Sequence, residues 1–532
     1  MNQIDKKNQI NTDTTALGIE FGSTRIKAVL INHFGDILAS GEHEWESHLE
    51  NGVFTYSLED IWQGLRNCYK QLKKDVFTTY NETLVTIGSI GISGMMHGYM
   101  VFDKDDNLLV PFRTWQNTST QDASMKLSEE FNYKIPQRWS IAHLYQAILN
   151  NEDHVDKICF QTTLAGYIHW KLTGQKIVGI GEASGMFPID LNVKTYQKPL
   201  LDKFSTLISN KNYSWSIDNI LPKICVAGEI AGSLQEECIR LLDEDGDLHG
   251  GIPFCPPEGD AGTGMVATNT VSQRTGNISA GTSVFSMVVL EKELSKVYEE
   301  LDLVTTPVGD LVAMVHVNNC TVDINAWMNF FDEFVKVLGL KVSRGELFQI
   351  LFNEALKADE NVGGLLSYNY ISGEHISNVS TGIPMLLRSP EANFNLANFM
   401  CAHIYSAISV LKIGMDILLE QEHVHLDKIL GHGGFFKTKN VGQKIMASAM
   451  KTPVSCMNTA AEGGAWGIAL LAAFIKEKDY DLNGYLNDII FKQVEIETKE
   501  VDENIAKSFE VYITRYKEGL QVEKLASAVL SK

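Results

Sequence analysis

The fold is decided by the stretch Leu17-Gly-Ile-Glu-Phe-Gly22-Ser23-Thr24-Arg-Ile-Lys-Ala-Val-Leu-Ile31. It contains a short strand pattern, a glycine with two hydroxyl residues, and a longer β-branched strand pattern. The second half of the chain repeats these parts in Asn277-Ile-Ser-Ala-Gly281-Thr282-Ser283-Val-Phe-Ser-Met-Val-Val-Leu290. A turn of this kind points backbone N–H groups and hydroxyls into one small space, which suits a phosphate. The repeat predicts two similar domains that face each other across a cleft, with a nucleoside triphosphate between them.

Length and charge limit the classes of protein to consider. At 532 residues the chain is too long for one core, and two or more domains are expected. The contents of 44% hydrophobic and 21% charged residues are typical of a globular protein. The formal net charge of −21 argues against nucleic acid and against an anionic membrane surface as partners. A phosphate ligand must then be held by local dipoles, a metal ion and one or two cations.

The cysteines and the N-terminus indicate a reducing compartment. Eight cysteines are scattered without CxxC spacing, which is typical of free thiols and not of a disulfide or zinc framework. The first ten residues are polar and have no apolar run behind their charges, so no signal peptide is predicted. We also expect no apolar stretch of about 18 residues, the length of a membrane span. The prediction is a cytoplasmic protein.

Hydrophobic periodicity predicts an α/β chain with a β-β-β-α-β start. The first three strands are expected at 16–21, 26–31 and about 36–45, followed by a helix from Glu59 to about Lys73 and a strand at Val85–Ile92. Later predicted elements are a strand at Tyr99–Phe102, a helical pattern at 140–172, a short strand at 250–254, a long helix at about 391–421 and a strand from Ile429 into the turn at Gly433.

The first turn carries groups that suit a phosphate and its metal ion. It lies between two strands, and the sequence has no GxxxxGK[ST] motif, so it is not a P-loop. Glu20, just before the turn, can reach a phosphate-bound Mg²⁺ through water, because Mg²⁺ prefers one or two carboxylates and keeps several waters. Arg25 or Lys27 can neutralise phosphate charge. The alternative is an ordinary hairpin, in which Gly-Ser-Thr is common turn chemistry.

The densest group of glycines and acids is Glu258-Gly-Asp260-Ala-Gly-Thr-Gly264. An aspartate held by glycines at a strand end can approach a substrate hydroxyl closely. Phosphoryl transfer needs little more than positioning, charge neutralisation and one base that accepts the hydroxyl proton. Asp260 is therefore a candidate base. The alternative is an aspartate that caps the following helix.

A third glycine-rich segment is Gly431-His-Gly433-Gly434-Phe435-Phe436-Lys-Thr438. Its backbone would let a planar adenine lie flat, with a phenylalanine beside it. A tight turn between a strand and a helix is the alternative. Glu462-Gly-Gly-Ala-Trp-Gly467 opens an Ala-rich helix, and a close contact between helices explains its glycines equally well.

Two further segments suit a polyhydroxylated ligand. Met96 and His97 follow a buried strand between Gly94 and Gly98, and Trp115 and Asn117 lie in a polar loop. Together they offer an aromatic wall with imidazole and amide hydrogen-bonding groups, although a histidine in this setting also serves as a structural residue. No His/Cys set has zinc spacing and no GxSxG motif occurs, which disfavours a hydrolase.

The order of these motifs resembles the FGGY family of carbohydrate kinases, and the pattern is most similar to xylulokinase-like members. The likeness extends over residues 16–475. The motifs that carry it are the Gly-Ser-Thr hairpin, Ser-Gly-Met-Met-His-Gly, Trp-Gln-Asn, Leu-Thr-Gly, Gly-Asp-Ala-Gly, Gly-Thr-Ser and Gly-Gly-Phe.

The resemblance implies an α/β fold with two actin/hexokinase-like (ribonuclease H-like) domains, and ATP with Mg²⁺ as cofactors. It assigns Asp260 as catalytic base, and Glu20 with Asp260 as the metal-binding acids. The residues it implies for the nucleotide are Gly22, Ser23, Thr24, Gly281, Thr282, Gly433, Gly434, Phe435 and Thr438. Those it implies for the substrate are Met96, His97, Trp115, Asn117 and Asp260.

The same resemblance suggests a division of the chain. Residues 1–13 are expected to be a disordered arm, 14–268 an N-terminal sugar-binding domain and 269–485 a C-terminal ATP-binding domain. Residues 486–532 are expected to form a mostly helical tail on or after the second domain. The expected partner is a small-molecule sugar, with neither nucleic acid nor membrane, and a homodimer is compatible with the sequence.

This chain departs from the family pattern at three places. Glu20 stands where the family usually has Asp before the first phosphate turn, and Met95 stands where Gln usually precedes Met-His. Asn117 replaces the usual Asp of the sugar loop, and Ser119 lies near the position of an Arg that often follows. The nucleotide side therefore keeps the family pattern, and the sugar side differs from it.

The resemblance and these residues together predict an ATP-dependent kinase of a ketopentose such as xylulose or a related sugar. A kinase of a polyol or a modified sugar is one alternative, and the altered sugar loop supports it. A non-catalytic actin-like ATP-binding regulator is another, although the presence of Asp260 argues against it. An actin-like chaperone would need a peptide-binding β domain, and none is predicted after the second half.

Overall fold

The structure is a computed structural model that describes residues 10–438, 440–457 and 463–530. The chain forms two compact units, which are discontinuous in sequence. Unit 1 comprises Met1–Val271, Leu303–Val312 and Ala460–Gln493. Unit 2 comprises Ser272–Asp302, Ala313–Thr459 and Val494–Lys532.

The strands before Val271 form one large sheet and several two-stranded pairs. They are β1 (Ala16–Phe21), β2 (Arg25–Ile31), β3 (Ile37–Glu44), β4 (His48–Glu50), β5 (Val53–Thr55), β6 (Ser89–Gly94), β7 (Met100–Phe102), β8 (Phe160–Thr162), β9 (Ile177–Gly179), β10 (Ile189–Asp190), β11 (Thr195–Tyr196), β12 (Lys223–Cys225), β13 (Gly232–Ser233), β14 (Pro253–Phe254) and β15 (Glu258–Gly259). The large sheet has the order β13-β14-β6-β1-β2-β3, and β15 also pairs with β6. β1 is antiparallel to β2 and parallel to β6.

The later strands form a second large sheet of the same kind. They are β16 (Thr275–Ala280), β17 (Val284–Val289), β18 (Asp302–Thr305), β19 (Leu311–Val317), β20 (Leu366–Tyr368), β21 (Met385–Leu387), β22 (Lys428–His432), β23 (Val454–Met457) and β24 (Ile496–Lys499). The sheet order is β18-β19-β17-β16-β22-β23-β24. β16 is antiparallel to β17 and parallel to β22, as β1 is to β2 and β6. The two predicted hairpins therefore have the same sheet environment.

Helices cover both sheets. In the first half they are Leu58–Tyr80, Gln121–Phe131, Ser140–Leu149, Leu164–Thr173, Ile180–Ser184, Lys198–Leu207, Ile217–Ile220, Ile239–Leu242 and Asp260–Ala267. In the second half they are Val322–Val337, Arg344–Ala355, Leu396–Asp416, Gly442–Met450, Gly463–Phe474, Leu482–Tyr485 and Glu503–Leu530.

The helix Leu58–Tyr80 shows how sequence sets a boundary and a packing face. The Ser57 side chain accepts the Asp60 N–H and caps the first turn, which sets where the helix begins. The helix buries Ile61, Leu65, Cys68 and Leu72 at helical spacing. It lies against β3 at Gly41, where an added Cβ would overlap the carbonyl of Cys68. The predicted end near Lys73 is too early, because the helix continues to Tyr80.

One helix in the described part of the chain is long and apolar enough to cross a membrane. It extends over Leu396–Gln421, and its most apolar 18-residue window has a mean hydropathy of 1.4, so the expectation that no such stretch exists is wrong. Within this helix, 89% of the most apolar window is buried in the protein. Burial of this extent is typical of a core helix, because its apolar side chains already contact protein.

The units differ from the predicted domains at residues 303–312 and 463–493, which belong to unit 1. The helix Gly463–Phe474 packs on β1, where a Cβ on Gly18 would overlap the carbonyl of Ala465. The Trp466 Nε1–H donates to the carbonyl of Gly35 at 2.8 Å. The boundary between the units follows Val271, close to the predicted 268/269.

The two ends of the chain are more structured than predicted. Residues 1–9 of the expected arm lie outside the described residues, but Ile10 is buried and the Asn11 Oδ1 accepts the Val85 N–H at 2.7 Å. Residues 10–13 therefore pack on unit 1. At the other end, β24 joins the second sheet beside β23 before the helix Glu503–Leu530 begins.

Candidate active site

Glu20 is the next-to-last residue of β1, and its carboxylate lies at the start of the helix Gly463–Phe474. It accepts a backbone hydrogen bond from Ala465. Gly464 makes this approach possible, because a Cβ there would overlap the carboxylate. The N-terminus of a helix favours negative charge. Even so, burial, followed by the charge of Asp260, raises the pKa of Glu20 to about 7.

Asp260 is the first residue of the helix Asp260–Ala267, directly after β15. Its Oδ1 accepts the backbone N–H of Met96 at 3.3 Å. The side chain is exposed, but protein atoms crowd around it, and this desolvation raises the pKa of its carboxyl. Asp260 is therefore accessible to a ligand and is held in place by the segment that carries the predicted sugar contacts.

The donor set of Glu20 and Asp260 fits a magnesium ion. The Asp260 charge raises the pKa of Glu20, so these two acids repel each other when both are ionised, and a cation would relieve that repulsion. No cluster of three or more His, Cys, Asp or Glu side chains suited to a metal occurs among the described residues. Two carboxylates completed by water are a ligand set that Mg²⁺ accepts.

The residues around Glu20 and Asp260 are small because neighbouring elements pack closely there. The Thr263 hydroxyl lies 3.1 Å from that of Ser93 on β6. A Cβ on Gly467 would overlap the backbone of Thr263, so the helices Asp260–Ala267 and Gly463–Phe474 approach at their backbones. The interpretation of this glycine segment as a helix contact holds for Gly464 and Gly467, whereas Glu462 lies outside the described residues.

Three aromatic side chains donate hydrogen bonds to the first turn. The Trp45 Nε1–H donates to the Gly22 carbonyl at 2.7 Å, and the Tyr56 hydroxyl donates to the Ser23 carbonyl at 2.6 Å. The Trp115 Nε1–H donates to the Ser23 hydroxyl at 3.1 Å. Thr24 is exposed at the tip. Trp115 therefore contacts the first turn, a link that sequence spacing did not reveal.

The two candidate cations beside this turn have different surroundings. Arg25 forms ion pairs with Glu42 and Glu44 at 3.0 and 3.1 Å on the neighbouring strand. Lys27 lies opposite Glu20 in the β1–β2 register, and its charge lowers the pKa of Glu20. Lys27 is the better placed of the two to balance charge at this site.

Met96 and His97 are buried next to Asp260. His97 has a φ of +71°, and its Nδ1–H donates to the carbonyl of Gly185 at 3.2 Å. Its ring stacks on Trp139 with centroids 6.5 Å apart. A Cβ on Gly185 would lie 2.6 Å from His97 Nδ1 and 3.0 Å from Met96 Cε. Gly185 therefore gives both side chains their space.

Asn117 has a structural role that the sugar-loop interpretation did not include. Its Oδ1 accepts the Phe54 N–H at 2.9 Å. Its Nδ2 donates to the carbonyls of Phe54 and Thr114 at 2.9 and 3.0 Å. The buried amide thus ties its loop to β5, and the structure assigns it these backbone partners. Trp115 beside it keeps 38% of its surface exposed.

Two acids that sequence reasoning did not single out lie beside Asp260. The Glu258 carboxylate accepts the N–H groups of Gly181 and Glu182 at 3.3 and 2.9 Å, and burial raises its pKa to about 8. Glu182 is fully buried, and burial raises the pKa of its carboxyl well above the ordinary value, an effect that the nearby Thr163 hydroxyl only partly offsets. Glu258 stands inside the quoted motif, whereas Glu182 has no sequence signal beyond its Gly-rich neighbours.

Unit 2 holds the second turn, which faces open space. The Thr321 hydroxyl donates to the Gly281 carbonyl at 2.7 Å, and the Cys320 N–H donates to the Thr282 carbonyl at 3.0 Å. Thr282 is exposed. A Cβ added to Gly281 would have no atom within 4 Å. The turn is thus supported on its carbonyl side and leaves room for a ligand on the other.

The turn at Gly433 lies in the same unit, beside the end of β16. Gly433 has a φ of +98°, and a Cβ there would lie 2.5 Å from the Ala280 carbonyl oxygen. A Cβ on Gly434 would meet nothing within 4 Å. This open backbone is a cradle of the kind a nucleotide requires.

The side chains that follow this turn are used for packing. Phe435 is buried and contacts Phe352 and Phe436 with ring centroids 6.4 and 5.6 Å apart. Thr438 is buried as well. The Phe435 ring therefore belongs to the core of unit 2, and its place beside a base stays a prediction.

Comparison with known proteins agrees with this architecture. The profile of the FGGY family of carbohydrate kinases, N-terminal domain, matches residues 15–261, and that of its C-terminal domain matches residues 276–475. A xylulose kinase from Haemophilus influenzae is 23% identical over 421 residues, which is 77% of this chain and 79% of that protein.

Solved structures show the same fold at low identity. A ligand-bound xylulose kinase from Lactobacillus acidophilus has a TM-score of 0.78 and 16% identity, over 97% of this chain and 100% of that one. A gluconate kinase from the same organism gives 0.78 and 16%, over 97% and 99%. The prediction of an α/β fold with two actin/hexokinase-like domains is confirmed. Because both family domains match in order along its length, the chain belongs to the FGGY family of carbohydrate kinases.

Proposed function

We propose that this carbohydrate kinase transfers the γ-phosphoryl group of ATP to a hydroxyl of a ketopentose such as xylulose or of a related sugar. The observation that carries the proposal is Asp260, an exposed carboxylate at a helix start, held by the Met96 N–H and next to His97. A base in this position meets the main requirement of phosphoryl transfer to an alcohol.

In the proposed reaction, Asp260 accepts the proton of the acceptor hydroxyl. The hydroxyl oxygen forms a bond to the γ-phosphorus, the bond to the β–γ bridging oxygen breaks, and ADP leaves. Thr24 in unit 1 and Thr282 in unit 2 are exposed turn hydroxyls that would donate to phosphate oxygens. Glu20 and Asp260 would hold Mg²⁺, which neutralises phosphate charge when bound.

The nucleoside would bind in unit 2 against the backbone of Gly433 and Gly434. Support comes from Gly434, whose Cα faces open space, and from Gly433, which brings this turn next to β16. Gly281, at the end of the same strand, presents an open backbone to the phosphates. Phe435 and Thr438 would act by supporting the turn from the core.

The acceptor would contact Met96, His97 and Trp115. Support for xylulose is that the Haemophilus influenzae relative is a xylulose kinase, whereas one structural neighbour is a gluconate kinase. Asn117 would act indirectly, through the loop that carries Trp115. The second candidate acceptor is a polyol or a modified sugar. This alternative is favoured because the Asn117 side chain is already hydrogen-bonded to backbone groups. The sugar loop therefore offers the acceptor one polar side chain fewer than the family pattern.

A panel of acceptors assayed by ADP release tests both proposals. The protein is incubated with MgATP and, separately, xylulose, ribulose, gluconate, glycerol and ribitol. The proposal predicts the largest kcat/KM with a ketopentose. A preference for glycerol or ribitol would favour the polyol alternative, and no ADP release with any acceptor would contradict a kinase of these substrates.

A homodimer would use the exposed face of the helix Val322–Val337 and its end. Phe330, Phe334, Val337 and Leu338 are 58%, 56%, 84% and 57% exposed and recur at helical spacing. At roughly 150–250 Å² for an aromatic side chain, these four partly exposed residues supply about half of the ~800 Å² per partner of a standard interface, and neighbouring residues would supply the rest. Glu333 is also exposed and shares this face at helical spacing, so the proposed contact surface is an apolar patch that includes one acid. The cytoplasmic location stays a prediction from cysteine content.

A further inference from the structure

Two buried acids link the segment Ile180–Gly185 to the residues before Asp260. Each acid belongs to one of these two segments and contacts the backbone of the other. The Glu258 carboxylate accepts the backbone N–H groups of Gly181 and Glu182 at 3.3 and 2.9 Å. In return, the Glu182 carboxyl lies against the backbone of Gly259, where a Cβ would be 2.5 Å from Oε2. Both acids are almost wholly buried, at 1% and 0% exposure. We call this reciprocal contact of Glu258 and Glu182 the acid clasp.

The acid clasp joins the two parts of the proposed acceptor site. On one side, Gly259 precedes Asp260, and a Cβ on Gly259 would overlap the Met96 side chain. On the other side, the segment that carries Glu182 ends at Gly185, whose carbonyl accepts the His97 Nδ1–H at 3.2 Å. The proposed base and the Met96–His97 pair are therefore positioned by the same two segments.

A buried glutamate at position 182 is energetically unfavourable if its role is only structural. Neither of its carboxyl oxygens has a hydrogen-bond partner of ordinary geometry among the described residues. Buried polar groups without partners are rare, and an apolar side chain of similar size is often at least as stable in such a place. Its contact with Gly259, next to the proposed base, offers a functional reason for its presence.

We propose that Glu182 is a positioning residue for the acceptor. Through Gly259 on one side and the Gly185–His97 contact on the other, it sets the distance between Asp260 and the side chains that hold the sugar. It does not touch the reacting atoms. This inference rests on the proposed function, because it assumes that Asp260 is the base and that Met96 and His97 contact the acceptor.

The inference predicts a specific kinetic signature. Loss of acceptor positioning lowers kcat/KM for the sugar by about 100-fold, because misplacement by about 1 Å has that effect on a reaction that depends on alignment. KM for ATP stays unchanged, because the nucleotide cradle lies in unit 2. Water then competes better as acceptor, so more ADP is released for each sugar phosphate formed.

The test compares Glu182→Leu and Glu182→Gln with Glu523→Gln as a matched control. Glu523 is also a fully buried glutamate with one carboxyl oxygen lacking a partner, but it lies in unit 2, where it accepts the Ile383 N–H at 2.9 Å. Each variant is measured for kcat and KM with both substrates, for the ratio of ADP to sugar phosphate, and for its thermal unfolding midpoint.

We expect Glu182→Leu to keep its unfolding midpoint and its KM for ATP while kcat/KM for the sugar falls and the ADP ratio rises. Glu182→Gln keeps the shape of the side chain and should lie between Glu182→Leu and the wild type. It supplies the readout if the leucine variant fails to fold. Glu523→Gln should change the kinetic constants by less than about twofold.

Two results would overturn the inference. One is that kcat/KM for the sugar and the ADP ratio of the folded Glu182 variants match those of the control. The other is that KM for ATP rises in parallel with KM for the sugar, which would indicate a general structural role. Failure of the proposed function would look different, because the wild-type protein itself would then release no ADP with any sugar.

Discussion

The turn Gly22–Thr24 of unit 1 and the turn Gly281–Ser283 of unit 2 connect strands with the same pairing, but they are supported differently. Three aromatic side chains hold the first turn, Trp45, Tyr56 and Trp115. The second turn is held by the small residues Cys320 and Thr321. The aromatic support fixes the first turn next to the loop of Trp115, whereas the second turn keeps an open backbone.

The acids near the two turns differ even more. In unit 1, Glu20 stands just before the end of β1 and interacts with Asp260. In unit 2, Ser279 occupies the corresponding place in β16. Glu374, one of the buried acids of unit 2, accepts the N–H of Asn318 at 2.8 Å. The comparison teaches that a duplicated scaffold can place ionisable groups beside one turn and leave open backbone without such groups at the other.

The largest expected effect is that of Asp260→Asn on turnover. The amide cannot accept a proton, but its oxygen can still accept the Met96 N–H, so the fold is kept. We expect kcat to fall by about 1,000-fold or more, within the range that a positioned base contributes. Steady-state ADP release measures kcat, and circular dichroism checks folding. A folded variant with near-normal turnover would remove Asp260 from the role of base.

The next largest effect tests the open backbone of unit 2. Gly434→Ala adds a methyl group where no protein atom lies within 4 Å, so stability should not change. If the nucleotide lies against this backbone, KM for ATP should rise by about tenfold or more while kcat for the sugar reaction changes less. Gly345→Ala is the control, because a Cβ there also has no atom within 4 Å. Equal KM values for the two variants would place the nucleotide elsewhere.

The exposed apolar face of unit 2 gives a prediction about assembly. Light scattering should give twice the 59.2 kDa of one chain for the wild-type protein, and Phe334→Glu should reduce it to one chain, because a charge at the centre of an apolar interface is costly. Phe34→Glu in unit 1 is the control, since Phe34 is 64% exposed. A wild-type monomer, or equal masses for both variants, would contradict this interface.

The smallest effect is a pH dependence of stability that arises from Glu374. Burial raises its pKa from 4.5 to about 7, so the folded protein binds a proton that the unfolded chain releases between these values. The free energy of unfolding therefore falls as pH rises from about 4.5 to about 7, on the order of 2–3 kcal/mol. Glu374→Gln should reduce the decline by this amount, as measured by urea unfolding at pH 5 and pH 8, whereas Glu20 and Glu258, whose pKa values burial raises to about 7 and about 8, should keep the rest of it. If the free energy of unfolding falls by the same amount in the variant and in the wild type, other groups cause the whole decline.

Much of the fold could be predicted from sequence where patterning is local. The bounds of β1 match the prediction and those of β2 and β3 are within about a residue of it, because alternating burial and turn residues mark them. β24 was missed, since Ile496-Glu-Thr-Lys499 is short and charged and gains its strand form from pairing with β23. The packing of the helix Gly463–Phe474 on β1 in unit 1 was not predicted, because chain order does not show which sheet a helix contacts.

The candidate site was predictable only in part, for a related reason. Motif order located Glu20, Asp260, Met96 and His97, which the structure brings into one unit. It could not show that Asn117 uses its amide on backbone groups or that Phe435 belongs to the core, because those roles depend on tertiary partners. Glu182 was missed, since a lone glutamate in a short helix carries no motif.

The division of work between the two units is tested most directly by measuring ATP binding and turnover in the same two variants. Isothermal titration gives the Kd for MgATP, and ADP release with the preferred sugar gives kcat. The account predicts that Asp260→Asn loses turnover and raises the Kd for MgATP by less than about tenfold, because Glu20 stays as an acid for Mg²⁺, whereas Gly434→Ala weakens binding by about tenfold or more and keeps most of kcat. Parallel loss of binding and turnover in both variants would contradict it.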